Sequence, residues 1–140
     1  SAGLEVALDW DLLNNWRLRT AYTYIDLELK LQSNSYDTTT EGYEGDSPHH
    51  QLAVRSYLSL PSGWEIYAGG RYVDELPASS IGSYFALDGR VAWQPRPRLQ
   101  LALSAVNLLE RQHREGKADV VGAVHTAVER DLQATLSWQF

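Results

Sequence analysis

The sequence predicts an all-β fold: an antiparallel, up-and-down transmembrane sheet of about seven strands, part of a larger β-barrel. Three observations carry that prediction. Apolar and polar residues alternate strictly over seven segments. Short and long connections between those segments also alternate. All five tryptophans fall on apolar strand faces, and each sits beside a short connection or the chain end.

Strict alternation marks a strand with two different faces, and it gives segments over 4–11, 16–31, 50–60, 64–73, 84–94, 99–110 and 128–140. The first presents Leu4, Val6, Leu8 and Trp10 on one side. The second presents Trp16, Leu18, Thr20, Tyr22 and Tyr24, with Arg17 and Arg19 opposite. The third sets Leu52, Val54, Leu58 and Leu60 against Gln51, Arg55 and Tyr57. In the fourth, Trp64, Ile66, Ala68, Gly70 and Tyr72 back onto Glu65, Tyr67 and Arg71. The fifth places Phe85, Leu87, Val91 and Trp93 opposite Tyr84, Asp88 and Arg90. The sixth has Leu99, Leu101, Leu103 and Ala105 against Gln100 and Ser104. The last carries Leu132, Ala134, Leu136, Trp138 and Phe140, with Glu129, Asp131, Gln133, Thr135 and Ser137 between them. Parity puts Arg130 on the apolar side, far from Phe140, where a lipid-facing arginine costs only about 0–1 kcal/mol.

The connections 12–15, 61–63 and 95–98 are tight and rich in Asn, Pro, Ser and Gly, whereas 32–49, 74–83 and 111–127 are long and polar. In a meander this gathers every short turn at one end and every long loop at the other, the asymmetry of outer-membrane barrels. Trp10, Trp16, Trp64, Trp93 and Trp138 then form a girdle at the short-turn end, with Tyr22, Tyr24, Tyr72 and Phe85 toward the other. Indole and phenol groups favour a membrane interface because one part is apolar and the other hydrogen-bonds. A soluble sandwich would instead bury its tryptophans near mid-strand. The polar faces suit a hydrated or plugged lumen, and equally the exterior of a soluble sheet. Single-chain barrels have even strand numbers, and seven strands leave two edges unpaired, so either the alternation misses a strand or, the preferred reading, this is the C-terminal part of a larger barrel.

Composition narrows the function classes. With hydrophobic content of 44% the chain is not of disordered type, and no apolar run approaches the roughly 18 residues of a membrane helix. There is no cysteine, hence no disulfide framework, Cys-based zinc site or thiol chemistry. A net charge of -6 argues against nucleic acid as a partner. The missing initiator Met and the start at "SAGLEVALDW" suggest an excised segment, and with no signal peptide visible any export information is expected upstream.

Several stretches resemble the C-terminal end of TonB-dependent outer-membrane receptors. "TAYTYIDLEL" is similar to that family's strand running up into an outer loop, and "SPHHQLAVRSYLSLPSGWEIYAGGRYVDELP" to the hairpin that follows. "YFALDGRVAWQPRPRLQLALSAVNLLERQHRE" resembles the penultimate hairpin, where Asn107-Leu108-Leu109-Glu110 matches an Asn-Leu-hydrophobic-acid pattern, and "LSWQF" matches the terminal strand. His113-Arg114-Glu115-Gly116 lacks the aromatic that often follows the Glu in relatives. The resemblance implies a bacterial outer-membrane receptor that imports iron-siderophore or a similar nutrient, with an N-terminal plug inside a barrel of about 22 strands. It implies as partners outer-membrane lipid, the plug domain and remaining barrel strands, TonB through the absent N-terminal part, and a siderophore-like ligand. Leu136, Trp138 and Phe140 resemble the terminal signal read by the barrel-assembly machinery. Two other readings stand beside it: a small structural outer-membrane barrel, and a soluble lipocalin-like binder.

Candidate sites are few. Gln51, Arg55, Arg71, Tyr84, Asp88 and Arg90 lie on the polar faces and are candidates for a ligand path, the arginines guiding an anionic siderophore; pairing with Asp88 or with a plug is the alternative. His49 and His50 are adjacent on a strand and point to opposite faces, so they do not chelate one ion. His113 and His125, with Glu115 and Asp119, match no metal-ligand spacing. Asp37, Glu41, Glu44 and Asp46, with Tyr36 and Tyr43, read as a solvated loop, the alternative being an outer-surface cation or ligand site. No nucleophile-elbow, zinc-protease, P-loop or dinucleotide motif is present, so no catalytic residue, cofactor or metal is expected.

Overall fold

A computed structural model describes residues 1–30, 45, 47–110, 112–114 and 127–140. Seven antiparallel strands form one sheet in the order β1 (Ala2–Leu13), β2 (Trp16–Asp26), β3 (His50–Leu60), β4 (Trp64–Val73), β5 (Tyr84–Arg96), β6 (Leu99–Val106) and β9 (Asp131–Trp138). A second sheet is a small hairpin of β7 (Gln112–Arg114) and β8 (Ala127–Glu129). β1 and β9 form the two open edges of the main sheet. At 10 to 12 residues, β1 to β4 are as long as the roughly 9–11 residues that a tilted membrane strand needs.

Register turns the alternation into two continuous surfaces. Leu4 pairs with Tyr24, Val6 with Tyr22 and Leu8 with Thr20. The same face continues through Tyr22–Leu52, Leu52–Tyr72 and Tyr72–Phe85. It runs on through Val91–Leu103 and Leu103–Ala134. A one-residue slip in any of these pairings would throw the side chains to the other face, and none of them is slipped. The apolar surface is open: Leu4 is 56% exposed, Leu132 66% and Trp138 70%. A lipocalin-like protein would turn such a face inward. The buried side chains lie elsewhere, with Val73, Tyr84 and Ala86 clustered on the polar face near the long connections.

The turns explain how the strands reverse. Between β1 and β2 the register shifts between Asp11 and Leu13, a bulge beside Asn14 and Asn15. Asn15 then bonds β3 twice, accepting from Ser59 N and donating Nδ2 to the Ser59 carbonyl, each at 2.8 Å. Between β3 and β4, Pro61–Gly63 form a tight 3-10 turn in which Ser62 and Gly63 take φ of 65° and 78°. A Cβ on Gly63 would run into the Gln94 carbonyl oxygen, so glycine is required there.

Several boundaries differ from the alternation reading. β2 ends at Asp26, not 31, and the last backbone bond to β3 is Ile25 N to His49 O at 3.0 Å. β6 ends at Val106, not 110, because Asn107 adopts a left-handed φ of 53°. The final segment is two strands, with Arg130 between them and outside both. β7 lies within a stretch expected to be loop. The ladder closes on Leu99–Trp138, followed by Gln139 N to Arg98 O at 2.9 Å, which leaves Phe140 beyond the sheet.

Candidate ligand path on the lumen face

The polar face is built on the same register. Gln51 lies opposite Thr23 and Val73, Arg55 opposite Arg19 and Gly69, and Arg71 opposite Ala53 and Ala86. Tyr84 pairs with Val73, Asp88 with Gly69, and Arg90 with Tyr67 and Ser104. All six candidates therefore share one face. From Tyr84 to Arg90 they descend from the long-connection end for about 20 Å, at about 3.3 Å per residue. The guanidinium of Arg71 stands over the Tyr84 ring, 5.5 Å from its centroid, a cation–π contact that holds the arginine against the wall.

Deeper along the face, toward the short turns, the charges neutralise one another within the sheet. Arg17 Nε donates to Asp11 at 2.7 Å and lies 3.7 Å from Asp9, and Arg19 Nε donates to Asp9 at 2.9 Å. Arg19 also lies over the Tyr57 ring at 5.7 Å, and Tyr57 packs on Tyr67 with centroids 5.2 Å apart. A concavity of about 400 Å³ opens beside Arg17, Arg19 and Tyr57, and another of about 490 Å³ is lined in part by Tyr57, Glu65, Tyr67 and Arg90. Asp9 and Asp11 escaped the sequence reading, although the tight turn at 12–15 puts Asp11 opposite Arg17 and Asp9 opposite Arg19.

Asn107 was marked in the sequence only by the Asn-Leu resemblance, with no role attached. It is 1% exposed; its backbone N donates to Asp88 Oδ1 at 3.0 Å and its Nδ2 to the Val128 carbonyl at 3.1 Å. Its left-handed φ makes a bulge, which shifts side-chain parity by one. Leu108 consequently lands beside Gly89 on the apolar surface, with its Cδ1 3.7 Å from where a Cβ on Gly89 would sit.

The tryptophans of the ladder share the apolar face with Tyr22, Tyr24, Tyr72 and Phe85. Trp64 stacks on Trp93, and Trp16 Nε1 donates to Ser56 Oγ at 2.9 Å, which accounts for the one hydroxyl in the apolar series of β3. At the opposite end Tyr22 OH and His50 Nδ1 are 2.8 Å apart, with Tyr24 against the same imidazole. His50 thus faces away from the lumen, and His49 contributes its carbonyl to Ile25 N. No group of three His, Asp or Glu side chains suited to a metal exists among the described residues. The acidic loop residues Asp37, Glu41, Glu44 and Asp46, with Tyr36 and Tyr43, lie outside the described residues, as do Glu115, Asp119 and His125; for His113 only the backbone is described.

No individual characterised protein matches the sequence significantly. A sequence model of a protein family, described as TonB dependent receptor-like, beta-barrel, matches residues 1–108. A one-sided apolar sheet, a polar face opposite, and this match over more than half of the chain agree: it belongs to the TonB-dependent receptor β-barrel family, whose members are outer-membrane transport barrels.

Proposed function

We propose that the chain forms the C-terminal wall of a TonB-dependent receptor that imports an anionic, scarce nutrient, an iron-siderophore complex in the first instance. Ligand would be captured at the long-connection end and led down the lumen by Arg55, Arg71 and Arg90, with Gln51 and Tyr84 at the mouth. The observation that carries this reading is the charge distribution on the lumen face. Arg17 and Arg19 are tied to Asp9 and Asp11. Within β3 to β5, the face carries three arginines, Arg55, Arg71 and Arg90, against two acids, Asp88 and, lower down, Glu65. Positive charge is in excess by one over those three strands, which favours an anion in a low-dielectric channel.

The open edges of β1 and β9 support a larger closed barrel, because unpaired strand edges are not tolerated within lipid. The missing strands, a plug domain and a TonB-binding segment belong to the rest of the receptor, and the barrel-assembly machinery would insert the whole. Growth of a strain lacking the gene on single iron chelates, under iron limitation, tests the reading. Failure on one anionic chelate, restored by the wild-type gene and not by an Arg71→Ala/Arg90→Ala variant, is expected. Unchanged growth on every iron source would overturn the iron-chelate assignment.

A further inference from the structure

We propose that Asp88 and Asn107 form a clamp that fixes the outer β7–β8 hairpin to the rim of the barrel wall, so that Asp88 is a positioning residue rather than a ligand contact. The inference rests on the lumen-face reading above only for which end of the sheet is the mouth. The clamp itself is drawn from four observations.

First, β6 ends abruptly. Asn107 stands in the left-handed region with φ of 53° and is 1% exposed. Asparagine tolerates that conformation better than other side-chain-bearing residues. Second, the bulge frees a backbone N–H from the ladder, and the Asp88 carboxylate accepts it at 3.0 Å. A buried N–H left without an acceptor costs about 1–3 kcal/mol. Third, the Asn107 carboxamide reaches outward in sequence, its Nδ2 donating to the Val128 carbonyl at 3.1 Å. Val128 is the central residue of β8 and pairs with His113 of β7. The hairpin is thereby tied through Asn107 to β5. Fourth, Leu108 N returns to the Leu87 carbonyl at 2.8 Å, so the chain is held on both sides of the bulge before it leaves for the hairpin.

The Asn107 Oδ1 atom is buried and has no partner among the described residues. The side chain is therefore held by its donor, not by its acceptor. This distinguishes the carboxamide from its isosteric acid. The substitution Asn107→Asp keeps the shape but replaces the donor to the Val128 carbonyl with a carboxylate oxygen that repels it, and adds a negative charge to the residue whose backbone N–H Asp88 accepts.

Hydrogen–deuterium exchange of the intact receptor in detergent tests the clamp without any ligand. Asp88→Ala and Asn107→Asp are each expected to accelerate exchange at Leu108 and at the β7 and β8 amides by about tenfold or more, while β2 to β4 keep their wild-type protection. Asp88→Asn retains a carbonyl acceptor and is expected to stay within about twofold of wild type. The Asp88→Ala/Asn107→Asp double variant is expected to exchange no faster than the faster single variant, because either change opens the same clamp. Unchanged hairpin exchange in Asp88→Ala would overturn the proposal. So would equal acceleration through the whole sheet, which would make Asp88 an ordinary stabilising residue. Neither readout depends on the nutrient, so failure of the iron-chelate reading leaves this test intact.

Discussion

Trp64 and Trp93 face each other at the short-turn end of β4 and β5, with ring centroids 5.4 Å apart and planes inclined by 14°. They are a directly opposed cross-strand pair on the lipid side, and neither ring is buried in protein. Stacked aromatics contribute about 0.5–1.5 kcal/mol beyond the area they bury. A double-mutant cycle with Trp64→Ala and Trp93→Ala, read from urea midpoints of the intact receptor in lipid vesicles, is expected to give a coupling in that range. Strict additivity would mean that each indole is anchored by lipid alone.

Two glycines make a matched comparison. Gly63 has φ of 78° and its missing Cβ would meet the Gln94 backbone, whereas a Cβ on Gly82 would meet nothing within 4 Å. Gly63→Ala is expected to cost about 1–3 kcal/mol, the range for a residue held in a disfavoured backbone region. Gly82→Ala is expected to stay within about 0.5 kcal/mol of wild type, as open surface substitutions do. The same vesicle unfolding experiment separates them, and equal effects would show that the Pro61–Gly63 turn rearranges freely.

The two faces of the sheet were legible because the strand period is two. Once Trp16 and Tyr24 share a parity, every residue between them is assigned, and the structure keeps that assignment from β1 to β9. What parity cannot show is where a strand stops. Nothing in the alternation of Leu99 to Ala105 announces that Asn107 will turn left-handed, because that conformation depends on Asp88 and Val128 arriving from elsewhere in the chain. The Asn-Leu pattern marked the place by resemblance, but the reason for it is a three-dimensional one. Asp9 and Asp11 show the opposite case: their pairing with Arg17 and Arg19 follows from reflecting one strand about its tight turn, a step that needs only the turn to be located.

The lumen arginines differ in how they are held, and that difference predicts function. Arg17 is bound by two acids of its own sheet, so Arg17→Ala is expected to leave nutrient uptake within about twofold of wild type. Arg90 lines a concavity with Tyr57, Tyr67 and Glu65, and no acid is within ion-pair distance of it among the described residues. Arg90→Ala is expected to lower uptake at least about tenfold, the effect of removing one charge-assisted hydrogen bond of about 1.5–3 kcal/mol. Radiolabelled uptake in whole cells, normalised to receptor in the outer membrane, makes the comparison. A larger loss for Arg17→Ala than for Arg90→Ala would reverse the assignment.

Phe140 separates assembly from stability. Its side chain is fully exposed, at 106% of the reference area, and the last sheet bond is made by Gln139. Deleting Phe140 therefore removes no ladder bond and no described side-chain contact. The folded receptor, once refolded into vesicles, is expected to unfold at the wild-type urea concentration. If the terminal aromatic is read by the assembly machinery, the same deletion lowers outer-membrane levels in cells severalfold. Trp138 does not allow this test, because it is 70% exposed yet still pairs with Leu99 in the ladder, so its loss changes both quantities. Normal outer-membrane levels of the Phe140 deletion would remove the signal role and leave the residue as a membrane anchor only.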